Sequence, residues 1–151
     1  MPTFFDDLYD RFGEMHTEIK KVVDGLPSEA LDWVPGEAMN SITVMTVHLL
    51  GAETYWMGVA INEPPDRDRD AEFQVKGLSA RDLKDRLDSA DQFIKRIFAG
   101  LTLPYLEEVR HSPRNNKKFS VGWSIIHALE HTALHVGQIQ LTRQLWDKKE
   151  K

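Results

Sequence analysis

Three histidines, His127, His131 and His135, stand four residues apart within 121–146 (VGWSIIHALEHTALHVGQIQLTRQLW). On an α-helix such residues lie one above the other on nearly the same face, so His131 and His135 present neighbouring imidazoles able to grip one ion. A third comes from His48, near the middle of SITVMTVHLLGAETYWMGVAI, the other largely apolar stretch. A lone histidine in an apolar helix is more often a hydrogen-bonded core residue than a ligand. A pair on one helix facing a third on another shifts that balance. Three neutral imidazoles leave one tetrahedral position open to water or substrate, which is the arrangement of a catalytic zinc site.

The same segment permits a rival reading. His127, Glu130 and His131 spell H-x-x-E-H, in which both histidines bind zinc and the glutamate is a general base. That motif needs a further ligand downstream, where Asp147 and Glu150 are the distal carboxylates. His48, His131 and His135 are therefore the preferred metal set. Glu53 shares a helix with His48, and Gln138 follows His135 by three residues. With His127 they are the candidates for orienting the ligands or moving protons in catalysis. The plainer reading of Gln138 is a buried polar contact between helices. Glu130 points about 100° away from His131 and is expected to face solvent or orient another group.

Composition narrows the chemistry. The chain has 151 residues, enough for one core, so a single domain over 1–151 is expected. It contains no cysteine, which removes disulfides, thiolate nucleophiles and cysteine-held metals and leaves histidine and carboxylates as ligands. With 41% hydrophobic and 28% charged residues the class is ordinary globular, and no apolar run is long enough for a membrane span. MPTFFDDLYDRF lacks the basic and apolar regions of a secretory signal, so a cytoplasmic location is expected. A net charge of −5 argues against nucleic acid as partner. The concentrated basic run, Arg110 to Lys118, has no interleaved aromatics and reads as a solvated loop, with a lesser role at the rim of a pocket for anionic substrates.

The elements that must carry the histidines follow from periodicity. Thr3 caps a first amphipathic helix whose apolar residues include Phe5, Phe12, Met15 and Ile19, ending near Gly25. LPSEALDWVPGE is a connector with a short turn at Ser28 to Leu31. Ser41 opens a buried second helix reaching Ile61, and the prolines and charges of NEPPDRDRDAEFQVKG make an exposed connection. Ser79 with Asp82 opens a third helix, stopped by Gly100 and Pro104. Tyr105 to Arg110 can be extended, Pro113 with Asn115 and Asn116 reads as a turn, and Ser120 caps the fourth helix. Gly137 inside that helix costs about 1 kcal/mol relative to alanine, which points to close helix packing. Met45, Trp56, Met57 and Trp123 could line a pocket above the metal, although such stripes are usually core. Four long helices without convincing strands make an all-α, antiparallel four-helix bundle.

The order and separation of two motifs resemble the DinB-like (DinB/YfiT) superfamily. They are H-L-x-x-x-E-x-x-W at His48, Leu49, Glu53 and Trp56, and H-x-x-x-H-x-x-x-H-x-G-Q at His127, His131, His135, Gly137 and Gln138. The connector LPSEALDWVP also looks like that family's first connector, so the resemblance spans nearly the whole chain. It implies a DinB/YfiT-like bundle in which His48, His131 and His135 bind a divalent metal, commonly zinc or nickel. It further implies a small-molecule substrate and a homodimer. Family members with known activity include S-transferases using low-molecular-weight thiols such as bacillithiol, and mycothiol-dependent isomerases. A thiol-dependent S-transferase is thus the leading expectation, followed by a metal-dependent hydrolase and by a non-enzymatic, metal-stabilised binding module. The family often has arginine where this chain has Val136, which puts in doubt any contact of that arginine with an anionic thiol or a partner subunit.

Overall fold

The computed structural model describes residues 3–149. Glu150, one of the distal carboxylates considered above, lies outside them. Four long helices form: α1 (Phe4–Val23), α3 (Ile42–Ala60), α5 (Ala80–Gly100) and α6 (Val121–Lys149). Short helices α2 (Ser28–Leu31) and α4 (Arg69–Glu72) interrupt the connections. The starts are set where the caps predict. Thr3 and Ser79 each close a capping box, with Asp6 and Asp82 respectively, and Ser41 Oγ accepts from Val44 N–H. Ser120 Oγ accepts from Trp123 N–H at 3.0 Å. Each bond satisfies an amide that has no partner inside its own helix.

The long helices pack in the cyclic order α1, α5, α3, α6, so α1 and α3 stand diagonally across the core. Direction follows from the contacts. His16 with Asp91 and Asp24 with Lys84 make α1 and α5 antiparallel. His48 with His131 and Trp56 with Trp123 do the same for α3 and α6. Glu18 with Gln140 and the Val22 carbonyl with Arg143 show that α1 and α6 run in the same direction. It follows that α3 and α5 also run alike, and the chain between them has to travel back along the bundle. From Ala60 to the level of His48 is about 18 Å at 1.5 Å per residue. The returning chain is exposed over most of its length, as its prolines and charges predict, but it carries α4 inward against α3, and Glu72 is buried.

The core is continuous, with Phe12, Ile19, Leu31, Leu49, Met57, Leu87, Ile94 and Ile139 among its wholly enclosed side chains. Met45 and Met57 belong to it. Between α5 and α6 lies a second departure from the sequence reading. After a 3-10 turn at Leu103–Glu107, strands β1 (Val109–Ser112) and β2 (Lys117–Ser120) pair antiparallel, Val109 opposite Ser120 and Ser112 opposite Lys117. Four-residue strands rich in charge give no alternation to read. The hairpin is pinned to α3 by Tyr55, whose hydroxyl meets Ser112 Oγ at 2.7 Å and accepts from Arg114 N–H. Arg110, placed in a solvated loop by sequence, donates to the Ala60 carbonyl at the end of α3. Lys117 and Lys118 remain exposed. Gly137 is a further correction: a Cβ there would meet nothing within 4 Å, so close packing inside the bundle is not what selects it. No helix of the described residues is long and apolar enough to cross a membrane.

Candidate metal centre

Helix α3 brings His48, and α6 brings His131 and His135, to one point between them. One nitrogen from each ring lies within 4.8 Å of the others. Ring centroids are 4.9 Å apart for His48 and His131, 5.1 Å for His48 and His135, and 4.5 Å for His131 and His135. Donors about an ion with bonds of about 2.0–2.1 Å stand roughly 3.3 Å apart in a tetrahedron, so the rings need only a side-chain adjustment to share one.

The hydrogen bonds decide which nitrogens are free. His48 Nδ1 lies 2.9 Å from Glu72 Oε2. A carboxylate only accepts, so Nδ1–H donates and the lone pair is left on Nε2. His135 Nδ1–H likewise donates to Gln138 Oε1 at 2.7 Å. His131 Nδ1 is buried without a protein partner. Two rings held in a fixed tautomer by outer partners, with a third whose buried nitrogen is orphaned, fit a bound cation.

The electrostatics also suit a metal. Burial, then the neighbouring rings of His135, His48 and His127, and finally Arg67, push His131 down to about 3. Burial and His48 lower His135, against the hydrogen bond it donates to Gln138. Both rings are thus neutral at neutral pH, the form that ligates. Glu72 is buried, which opposes its charge, but hydrogen bonds from His48 and Arg67 outweigh that and hold its carboxyl below the usual range. Arg67 grips Glu72 through Nε at 2.7 Å and Nη2 at 2.8 Å.

Sequence reasoning missed Glu72 and Arg67, which sit in a charged stretch that looks solvated. It also missed why Gly51 is a glycine. A Cβ on Gly51 would stand 2.0 Å from Glu72 Oε1 and 3.3 Å from Arg67 Nε. One helical turn beyond His48, this gap admits the carboxylate that orients it. A glycine in a buried helix three residues from a candidate ligand was the available signal.

The other candidates separate. Gln138 is exposed and reaches His135, in place of the buried interhelical contact that was the plainer reading. His127 lies beside the centre, its ring 6.1 Å from that of His131. Glu130 is exposed, so the H-x-x-E-H triad does not assemble, and Asp147 pairs with Arg143. Glu53 is enclosed elsewhere: it accepts from Thr132 Oγ1 at 2.8 Å and lies 3.0 Å from His16 Nε2. His16 Nδ1 meets Asp91 at 2.6 Å, and Lys20 reaches Asp91 and Asp88. This second cluster joins all four long helices. His16 was not singled out from sequence, although a histidine on the Phe12, Ile19, Val23 stripe is itself a signal.

Comparisons with known proteins agree with this architecture. No curated protein is similar enough to count as a match. Among solved structures, a conserved protein from Enterococcus faecalis superposes with a TM-score of 0.81 at 14% identity, covering 98% of this chain and 99% of that one. A DinB-like protein from Bacillus cereus gives 0.73 at 12% identity, over 91% and 89%. YfiT from Bacillus subtilis, described as "a probable metal-dependent hydrolase with an unusual four-helix bundle topology", gives 0.65 at 14% identity, over 92% and 90%. The sequence model of the DinB superfamily matches residues 11–139, and with this span, which includes all three converging histidines, the chain belongs to the DinB superfamily.

Proposed function

We propose that this protein is a metal-dependent enzyme that transfers groups to or from a low-molecular-weight thiol, with His48, His131 and His135 holding a divalent ion, zinc or nickel. The observation that carries the reading is the convergence of three imidazoles from two helices, two of them with Nδ1 already committed to an outer partner. When bound, such an ion supplies Lewis acidity, bringing the pKa of a thiol or water that reaches it toward neutrality.

The chain's own residues favour a thiol. Glu72 is spent on His48 and Arg67, and Glu53 on His16 and Thr132. His127 is the free imidazole beside the centre, able to take or return one proton. A thiol, with an ordinary pKa of about 8.5, needs far less help to ionise than water at about 15.7. One proton-handling group suffices for it. Metal-assisted hydrolysis is the second reading, favoured by the structural likeness to YfiT. There His127 would serve as the base, and Glu53 would act only through Thr132, the neighbour of His131.

The partner is a small molecule and, on this reading, a second copy of the chain in the cytoplasm. Supporting the dimer, Ile126, Leu134 and Leu141 on one exposed stripe of α6 are 64%, 59% and 50% exposed, and Gly137 between them leaves room for a facing helix. Metal analysis of protein purified without added metal, then thiol-conjugation and hydrolase screens on the loaded protein, test the proposal. One ion per chain with conjugation of bacillithiol or glutathione to an electrophile is expected. Loaded protein inert toward thiols but active on esters or amides would move the reading to hydrolysis.

A further inference from the structure

Phe119, Trp123, His127, His131 and His135 follow one another at steps of four, and their rings form a ladder along the open edge of the α3–α6 seam. Phe119 stacks on Trp123 with centroids 4.2 Å apart and planes 25° from parallel. Trp123 stacks on His127 at 4.8 Å and 10°. His127 and His131 are 6.1 Å apart, and His131 and His135 are 4.5 Å apart. Trp56, across the seam on α3, sets its edge against Phe119, Trp123 and His127 at 5.0–5.1 Å. The ladder is thus fixed from behind.

Its front is open. Trp56 and Trp146 are 7% exposed, whereas Trp123 is 41% exposed, and Phe119, His127, His131 and His135 are half-buried. No carboxylate or ammonium belongs to the ladder or to His48, Ala52 and Trp56 on the facing helix. At 1.5 Å per residue, His127 lies about 9 Å and Trp123 about 15 Å along the helix from the middle of the His131–His135 pair. A row of aromatic ring edges that begins at the three histidines and ends on an exposed indole matches the length of an elongated ligand.

We propose that Trp123 and Phe119 form the binding strip for the tail of the substrate, which is an extended molecule with a metal-ligating head and an aryl or similarly flat apolar tail. This rests on the metal-centre reading above and adds the substrate class to it. Phe119 and His127 cover the two faces of the Trp123 indole, so the ladder offers ring edges to solvent, and such edges favour the face of a flat partner in T-shaped contact without opening the core.

The test compares acetohydroxamate with a biphenyl-tailed hydroxamate, which share a metal-ligating head and differ in the tail. Binding is read from the visible absorption of cobalt-loaded protein. The tailed probe is expected to bind about tenfold tighter, roughly one edge-to-face aromatic contact's worth. Trp123→Ala should remove most of that gain, and Trp123→Phe should keep part of it, while cobalt stoichiometry and acetohydroxamate affinity stay as in the parent. Equal affinity for the two probes, or a gain that survives both Trp123→Ala and Phe119→Ala, would overturn the strip. Protein that takes up no cobalt would instead overturn the metal centre, and the strip with it; retained far-UV helicity in each variant separates these outcomes from misfolding.

Discussion

His16 and His131 sit in the same bundle, the first wholly enclosed and the second half-buried, and their neighbours drive them in opposite directions. Around His131 stand other imidazoles and Arg67, so nothing offsets burial and the ring falls to about 3. Around His16, burial also disfavours charge, but the Glu53 carboxylate, the hydrogen bonds the ring donates to Asp91 and Glu53, and the Asp91 charge outweigh it and raise the ring to about 9. Burial alone therefore does not say what a core histidine is for. The company it keeps makes one cluster neutral and suited to ligate a cation, and the other a closed ion pair with no need of one.

Removing His16 gives the largest effect on this contrast. His16→Ala leaves Glu53 enclosed and short of its charge partner, at a cost of about 3–5 kcal/mol. Urea unfolding should show that loss, with metal stoichiometry of the folded protein unchanged. Loss of metal without loss of stability would reverse the assignment of the two clusters.

The pH dependence comes next. His16 has a folded value of about 9 against an unfolded value of 6.5. Its contribution is thus fully present below about 6.5 and disappears as pH rises through 9, on the order of 3 kcal/mol in all. Unfolding free energies at pH 6.5 and 9.5 should differ in that direction for the parent and much less for His16→Gln. A parent protein as stable at pH 9.5 as at 6.5 would show that the two carboxylates do not hold the ring charged.

Gly51→Ala sharpens the other side. The new methyl occupies the place of the Glu72 carboxylate, which must leave His48 and Arg67. Metal affinity is expected to fall about 10- to 100-fold, as when an outer partner of a ligating histidine is lost. The variant's helix content should remain, since alanine is the better helix former. The smallest change is Thr132→Val, which removes the hydroxyl that donates to Glu53. Stability should drop by about 1.5–3 kcal/mol, the range for a bond to a charged group, with metal affinity little altered when measured by competition with a chelator.

The readable and unreadable parts of this chain divide on physical lines. Thr3, Ser41, Ser79 and Ser120 act within one turn of themselves, so their caps were legible locally. His131 and His135 meet by helical repeat, and His48 follows because it lies near the middle of the other largely apolar stretch of the sequence. The Glu72–His48 bond spans 24 residues and depends on α3 and α5 running alike, which no local pattern encodes. Glu53 looked like a neighbour of the metal because it shares a helix with His48. In the fold it turns toward the core centre, where His16 arrives from the diagonal helix. The hairpin was missed because its strands are short and solvated, held by Tyr55 and Arg110 more than by their own pattern.

The most direct test is X-ray absorption of the metal-loaded protein beside metal analysis of His48→Ala, His131→Ala and His16→Ala. The account predicts one ion per chain with three imidazole nitrogens at about 2.0–2.1 Å, lost in the first two variants and kept in the third. An ion that survives His48→Ala and His131→Ala, or a shell made mainly of carboxylate oxygens, would contradict it.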